Sequence, residues 1–219
     1  MAYDSILRDS TKQDNYETAY RLACDELARM DIEKQCEKAG ARLTDQGKGI
    51  ILRFLNRDHL ISYPDIEVSF QDGEGEVTLW EKIVIIHYLV TAKGTKPAGE
   101  LISYKQVPDG RLYYPNFVNR TTRPLIKVFG KDPSLLLEAA GLLGGTPSDY
   151  GDYAVTIPAL PRVAVTTIIW TGDDEFPPDA NMIFDANIVD YLPAEDITVL
   201  CNMIALKLMK YQPTTKGNK

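Results

Sequence analysis

The stretch Thr78-Leu79-Trp80-Glu81-Lys82-Ile83-Val84-Ile85-Ile86-His87-Tyr88-Leu89-Val90 decides the fold. Thr78 and Glu81 make a capping box: the hydroxyl accepts the third amide of a helix while the carboxylate reaches back to the cap's own amide. From Ile83 to Val90 only His87 interrupts the apolar character. A helix apolar on nearly every side has no face to offer water, so it belongs in the interior. This helix, ended by Gly94, is therefore expected at the centre of the fold.

Toward the N-terminus, Tyr16, Tyr20, Ala23, Leu27 and Met30 recur at helical spacing, which predicts an amphipathic helix over residues 14–30, opened by Asp14 with Glu17. Asp31 is placed to cap a second short helix that Gly40 ends. The period then changes. Gly49 to Leu55, His59 to Tyr63 and Ile66 to Phe70 are short branched or aromatic runs, separated by Asn56-Arg57-Asp58 and Pro64-Asp65. They read as an antiparallel meander.

Toward the C-terminus, residues 97–130 read as a long loop with a turn at Pro108-Asp109-Gly110, then a helix from Asn116 to Phe129 broken at Pro124. Asp132-Pro133 opens a further helix that Gly144-Gly145 stops. Tyr153, Val155 and Ile157 alternate as a strand, and Val163 to Trp170 is a second. The last helix has Pro193 in its first turn, Glu195 and Asp196 at its positive end and Lys207 and Lys210 at its negative end. Its apolar stripe is Ile197, Leu200, Cys201, Ile204 and Leu208. The expected fold is α+β: a single domain over residues 1–219, a mostly antiparallel sheet packed against helices, with a frayed tail beyond about residue 212.

Composition narrows the function classes. Lys and Arg number 24 against 31 Asp and Glu, a net charge of −7. Phosphates are repelled by such a surface, so neither nucleic acid nor an anionic membrane is an expected partner. No run approaches the ~18 apolar residues that span a bilayer, and Met1-Ala2-Tyr3-Asp4-Ser5 lacks the basic start of a secretory signal. Cys24, Cys36 and Cys201 form no closely spaced pair, which fits small core residues in a reducing cytoplasm.

Candidate chemistry sits in three places. His87 lies on the most apolar helix, where an imidazole either holds a neighbouring group or acts as a ligand or base. His59 falls near a turn and is expected at the surface. Asp173-Asp174-Glu175, followed by Phe176-Pro177-Pro178, leaves the strand that ends at Trp170. Crowded carboxylates repel one another unless solvent, a cation or a base offsets them. With Asp185 they offer hard oxygen ligands for a divalent ion. The alternative is an internal ion pair with Arg120 or Arg123, which share a segment with Tyr113, Tyr114 and Phe117 and also suit a flat anionic ligand. Gly141-Leu142-Leu143-Gly144-Gly145 ends a helix and so lacks the favourable dipole of a phosphate site.

Several of these pieces recur together. Trp80 to Leu89 with Ile86-His87-Tyr88-Leu89, Gly99-Glu100-Leu101-Ile102-Ser103, Leu143-Gly144-Gly145, Gly151-Asp152, Leu160-Pro161-Arg162, Trp170 to Pro178 and Phe184-Asp185 resemble a bacterial domain-of-unknown-function family, DUF3786. The resemblance covers most of the chain. Members of that family occur largely in anaerobes, and some are fused to an N-terminal four-iron iron–sulfur module. The resemblance thus implies a link to low-potential electron transfer or corrinoid chemistry. The cysteine-rich module is absent here, so a redox role needs a separate iron–sulfur or corrinoid partner protein.

Two readings follow. One is a binding or accessory module for anaerobic redox or cofactor metabolism. Its small flat or anionic ligand would lie among His87, Arg120, Arg123, Trp170, Asp173, Asp174, Glu175 and Asp185. The other is a divalent-metal-dependent enzyme in which the acidic residues hold the ion and His87 is the base. Neither reading names a cofactor.

Overall fold

The computed structural model describes residues 10–44 and 47–210. The proposed tail after about residue 212 lies outside the described residues. In chain order the elements are α1 (Ser10–Leu27), α2 (Ile32–Ala39), β1 (Arg42–Leu43), β2 (Gly49–Phe54), β3 (Arg57–Ser62), β4 (Val68–Phe70), α3 (Leu79–Thr91), β5 (Leu101–Ser103), α4 (Gly110–Arg120), α5 (Thr122–Phe129), α6 (Ser134–Gly141), β6 (Thr146–Pro147), β7 (Tyr153–Leu160), β8 (Val163–Trp170), β9 (Asp179–Asp185) and α7 (Ala194–Lys210). Short 3-10 turns follow β5 and β9.

The meander is present as an antiparallel sheet in the order β1-β2-β3-β4. Leu52 faces His59, and His59 faces Phe70, across its three longer strands. A second antiparallel sheet runs β5-β9-β8-β7-β6. Within β8, Val163, Val165, Thr166, Thr167, Ile168 and Ile169 are all buried. A strand apolar on both faces must be covered on both, and β8 accordingly sits in the middle of its sheet. The amide of Leu55 donates to the carbonyl of Ala159 at 3.0 Å and ties the sheets together. One hydrophobic cluster draws on both sheets and all the helices, so the chain is a single α+β domain.

Helix α3 occupies the interior. Ile83, Val84, Ile85, Ile86, Tyr88 and Leu89 are buried, and the Thr78–Glu81 capping box is formed as its sequence predicts. The helix ends at Thr91, ahead of Gly94. Its carbonyl end is closed by a side chain from far away: the amide Nε2 of Gln35, on α2, donates to the carbonyls of Leu89, Ala92 and Val90 at 2.6, 3.0 and 3.3 Å. Helix ends leave such carbonyls without intrahelical donors, and buried ones need a partner. Asp31 and Gly40 bound α2 as expected, Gly40 with φ 67° in the left-handed region that favours glycine. Helix α3 pairs with α7 in the opposite sense, because His87 meets Asp196 near one end and Glu81 meets Lys207 near the other.

Three local expectations change. The first helix begins at Ser10, so Asp14 is interior to it and does not cap it. The single helix over Asn116–Phe129 is two helices divided at Thr121, whose φ of −122° and ψ of −84° leave the helical region. Pro124 lies in the first turn of the second helix, where its missing amide has no intrahelical partner to lose. The segment before them is not one long loop: β5 joins the second sheet, and Gly110 packs so closely that a Cβ there would fall 1.9 Å from the carbonyl oxygen of Tyr104.

Candidate functional site

Helices α1, α3 and α7 enclose a cleft of 370 Å³. Tyr16 and Ala19 come from α1, Trp80, Ile83 and His87 from α3, and Glu195 and Asp196 from α7. Each helix places them by its own periodicity. Trp80, Ile83 and His87 lie three and four residues apart, which puts them on one face of α3. The rings of Tyr16 and Trp80 meet edge to face, centroids 4.2 Å apart at 62°, a favoured arrangement for two aromatic quadrupoles.

His87 Nδ1 lies 2.6 Å from Asp196 Oδ2. Only 5% of the Asp196 side chain is exposed, against 26% for His87. The carboxylate is thus withheld from water and held to one partner. Its hydrogen bond raises the His87 pKa above the ordinary 6.5, against the opposing effect of burial, and the charges of Asp196, Glu195 and Glu26 add to the rise. A carboxylate on one ring nitrogen also fixes the tautomer: Nδ1 keeps its proton, and Nε2 is left for whatever enters the cleft. Burial raises the Tyr16 pKa, with Glu195 adding to that effect and Arg120 opposing it, so charges of both signs act on the aromatic wall.

The candidate residues read from the sequence do not gather at one point. His87 is in the cleft, and the field of Arg120 reaches its Tyr16 wall. Arg123 is exposed on α5 and donates to Asn119 Oδ1 at 2.6 Å. Trp170 ends β8 with 37% of its surface exposed. Asp173, Asp174 and Glu175 are exposed in the loop to β9, and no ion pair joins them to an arginine among the described residues. The expected internal pairing with Arg120 or Arg123 is therefore absent there. Asp173 serves the loop itself: its Oδ1 accepts the amides of Phe176 and Glu175 at 2.7 and 2.9 Å, which holds its pKa below the usual carboxylate value.

Asp185 lies at the opposite end of β9. Six residue steps at strand spacing put it about 20 Å from Asp179, where the acidic loop enters. Its carboxylate accepts the amides of Ala98, Gly99 and Asn187 at 2.8, 2.8 and 2.9 Å. The four carboxylates and His87 therefore do not converge. Among the described residues no group of three or more His, Cys, Asp or Glu side chains is arranged to hold a metal ion.

The residues missed by the sequence reading are Tyr16, Trp80, Glu195 and Asp196. Tyr16 carried the reading of an apolar stripe, Glu195 and Asp196 that of complements to a helix dipole, and Trp80 entered only through the family resemblance. Only Trp80 and His87, seven apart on one helix, were legible as neighbours. Burial raises the thiol pKa values of all three cysteines, Cys36 to about 11, in keeping with their reading as core residues.

The conserved-domain model for the domain of unknown function DUF3786 matches residues 31–207. The chain belongs to that family. The match runs from the Asp31 cap to Lys207, so it takes in α3, both sheets and nearly all of α7, while the Tyr16 wall of the cleft precedes it. No curated protein and no solved structure matches the chain. Among the described residues no helix of this DUF3786 domain is long and apolar enough to cross a membrane.

Proposed function

We propose that this DUF3786 domain is a small-ligand-binding module whose site is the cleft between α1, α3 and α7. The observation that carries the reading is the 2.6 Å contact of His87 Nδ1 with the buried Asp196, on a side chain that lines a cavity together with Trp80 and Tyr16. The ligand that fits has a flat body for the two aromatic rings and an acceptor or anionic group for His87, which donates from Nε2 when protonated. A cofactor of anaerobic redox metabolism, handed to or from an iron–sulfur or corrinoid partner protein, meets that description. The charge of Arg120, which acts on Tyr16, would favour an anionic group there.

Native mass spectrometry of protein purified without oxygen tests the reading. A non-covalent adduct should accompany the wild-type chain and be lost from His87→Ala and Asp196→Ala. Absence of any adduct, or one that survives both substitutions, overturns it.

One observation favours a second reading, an enzyme. A carboxylate-oriented imidazole with a free Nε2 is the arrangement a general base requires. Among the described residues that line the cleft there is no serine, threonine or cysteine, and the chemistry this reading calls for is proton transfer on a bound molecule. The divalent-metal form of this reading would have to draw Asp173, Asp174, Glu175 and Asp185 to His87 from the two ends of β9.

A further inference from the structure

His59, expected at the surface, is buried on β3 with 1% of its surface exposed. Strands β2 and β4 flank it, and the rings of Phe54 and Phe70 cover it at 5.8 and 4.9 Å. Its Nε2 has no hydrogen-bond partner, but it is closed to any ligand. The end of the second sheet where β7 begins, β8 ends and β9 begins is the reverse case, open to solvent throughout. Tyr153 pairs with Ile169 and Trp170 with Asp179, so the segment before Tyr153 and the loop after Trp170 meet there.

Three large rings stand exposed at this end: Tyr150 at 44%, Trp170 at 37% and Phe176 at 68%. A single exposed ring needs no explanation, but apolar groups gathered in one place and rimmed by polar ones mark an interaction surface. The rim has one sign. Residues 148–153 and 170–179 hold six acidic side chains, Asp149, Asp152, Asp173, Asp174, Glu175 and Asp179, and no lysine or arginine. All six are exposed, and among the described residues none forms an ion pair. The surface is also held in shape. The Asp152 carboxylate accepts the amide and hydroxyl of Thr171 at 2.7 and 2.6 Å, tying the start of β7 to the exit of β8. A Cβ at Gly151 would fall 3.1 Å from Nε1 of Trp170, so the indole lies directly against the chain there. The Asp173 amide donates to the carbonyl of Phe176 at 2.9 Å, which folds the loop back toward the strand.

We infer that this end of the second sheet docks an arginine-bearing face of a partner protein. Charge complementarity selects the partner: carboxylates without cations attract a basic surface and repel phosphates. Guanidinium is the cation that uses both parts of the surface, since it stacks on aromatic faces and pairs with carboxylates in a planar fork, whereas ammonium is a compact point charge. Size favours a protein. Three strand ends at strand spacing span about 10 Å before the loop is added, more than one small cation covers. The surface shares no residue with the His87 cleft and does not rest on that site binding a ligand.

The amidated peptide Gly-Arg-Gly-Arg-Gly-Arg-Gly and its lysine counterpart are the probes. The full chain, labelled with 15N-tryptophan, contains two indoles, Trp80 and Trp170, and Trp170→Phe assigns them. The arginine peptide should shift the Trp170 resonance saturably, leave Trp80 in place, and bind at least about threefold tighter than the lysine peptide, the gain expected of stacking at an exposed site. Tyr150→Ala/Phe176→Ala should weaken the arginine peptide by a similar factor and the lysine peptide less. Asp174→Asn/Glu175→Gln should weaken both peptides. Glu33→Gln/Glu37→Gln removes the same charge from α2, whose end at Gly40 packs on Pro161 and Arg162 at the opposite end of β7 and β8, and should weaken neither. Because the comparison of peptides uses the wild-type chain, it does not depend on any variant folding. An unmoved Trp170 resonance, equal binding of the two peptides, or a loss as large in the α2 variant as in the loop variant overturns the inference. So does a Trp170 shift produced by raising the protein concentration alone, which would make a second copy of the chain the occupant.

Discussion

His87 on α3 and Asp196 on α7, 109 residues apart in sequence, share a 2.6 Å hydrogen bond at the edge of a cleft. Helix α7 thus presents an otherwise buried carboxylate to the histidine that interrupts the apolar run of the central helix. The contact makes His87 a titrating group of known sign. Its folded-state pKa lies above 6.5. The stability it contributes is then fully present below 6.5, declines as pH rises, and is gone once pH has passed the folded value.

The expected outcome is an NMR titration of His87 with a midpoint above 6.5 that falls in Asp196→Asn. The wild-type denaturation midpoint should drop relative to that of Asp196→Asn as pH is raised through this window. Coincident His87 titration curves in the two proteins would show that the pair does not set the pKa.

Gln35 closes the carbonyl end of the central helix. Gln35→Leu should destabilise the fold by about 1–3 kcal/mol, the penalty of leaving buried acceptors without a donor. Gln35→Glu should be worse, since a carboxylate cannot donate and its charge would face three carbonyls. Urea denaturation of the three proteins measures both, and hydrogen exchange at the end of α3 should accelerate first.

The acidic loop predicts a contrast within three residues. Asp174→Ala and Glu175→Ala should leave the urea midpoint unchanged, because exposed side chains without partners contribute little. Asp173→Ala should lower it measurably, because its carboxylate accepts two loop amides. None of the three should alter adduct formation at the His87 cleft; loss of the adduct in any of them would return the acidic loop to the site.

Asp185 anchors the segment that leads into β5. Asp185→Ala should cost about 1–2 kcal/mol, as three backbone donors lose their acceptor, and should speed amide exchange at Ala98 and Gly99. Burial opposes ionisation of Asp185, but its three backbone hydrogen bonds prevail and hold the pKa below 3.8. Its contribution is thus present above 3.8 and lost as pH falls through the folded value. Asp185→Asn should flatten that acid limb of the stability profile.

Much of the architecture was legible because its signals are local. The strand β9 could have been read too: Ala180, Met182 and Phe184 alternate inward along it, although the sequence reading assigns no element to those residues. The helix division at Thr121 was misplaced by three residues because a proline in a first turn and a proline that breaks a helix look alike until the flanking backbone is known. In the cleft, Asp196 was read as complementing the helix dipole, which it is placed to do, and nothing in the chain announced that it also faces His87.

The residues of this protein by themselves determined the capping box at Thr78 and Glu81, the ends of α2 at Asp31 and Gly40, the buried central helix, the antiparallel meander and the final amphipathic helix. Each depends on groups within a few residues of one another, so spacing and side-chain type suffice. Only the tertiary structure decided that His87 takes Asp196, that Gln35 closes α3, that His59 is buried with a free nitrogen, and that the acidic loop meets no arginine among the described residues. Which of several chemically equivalent partners a polar group finds depends on which helices and strands come to lie side by side, and burial of apolar surface, which is indifferent to that choice, sets their placement.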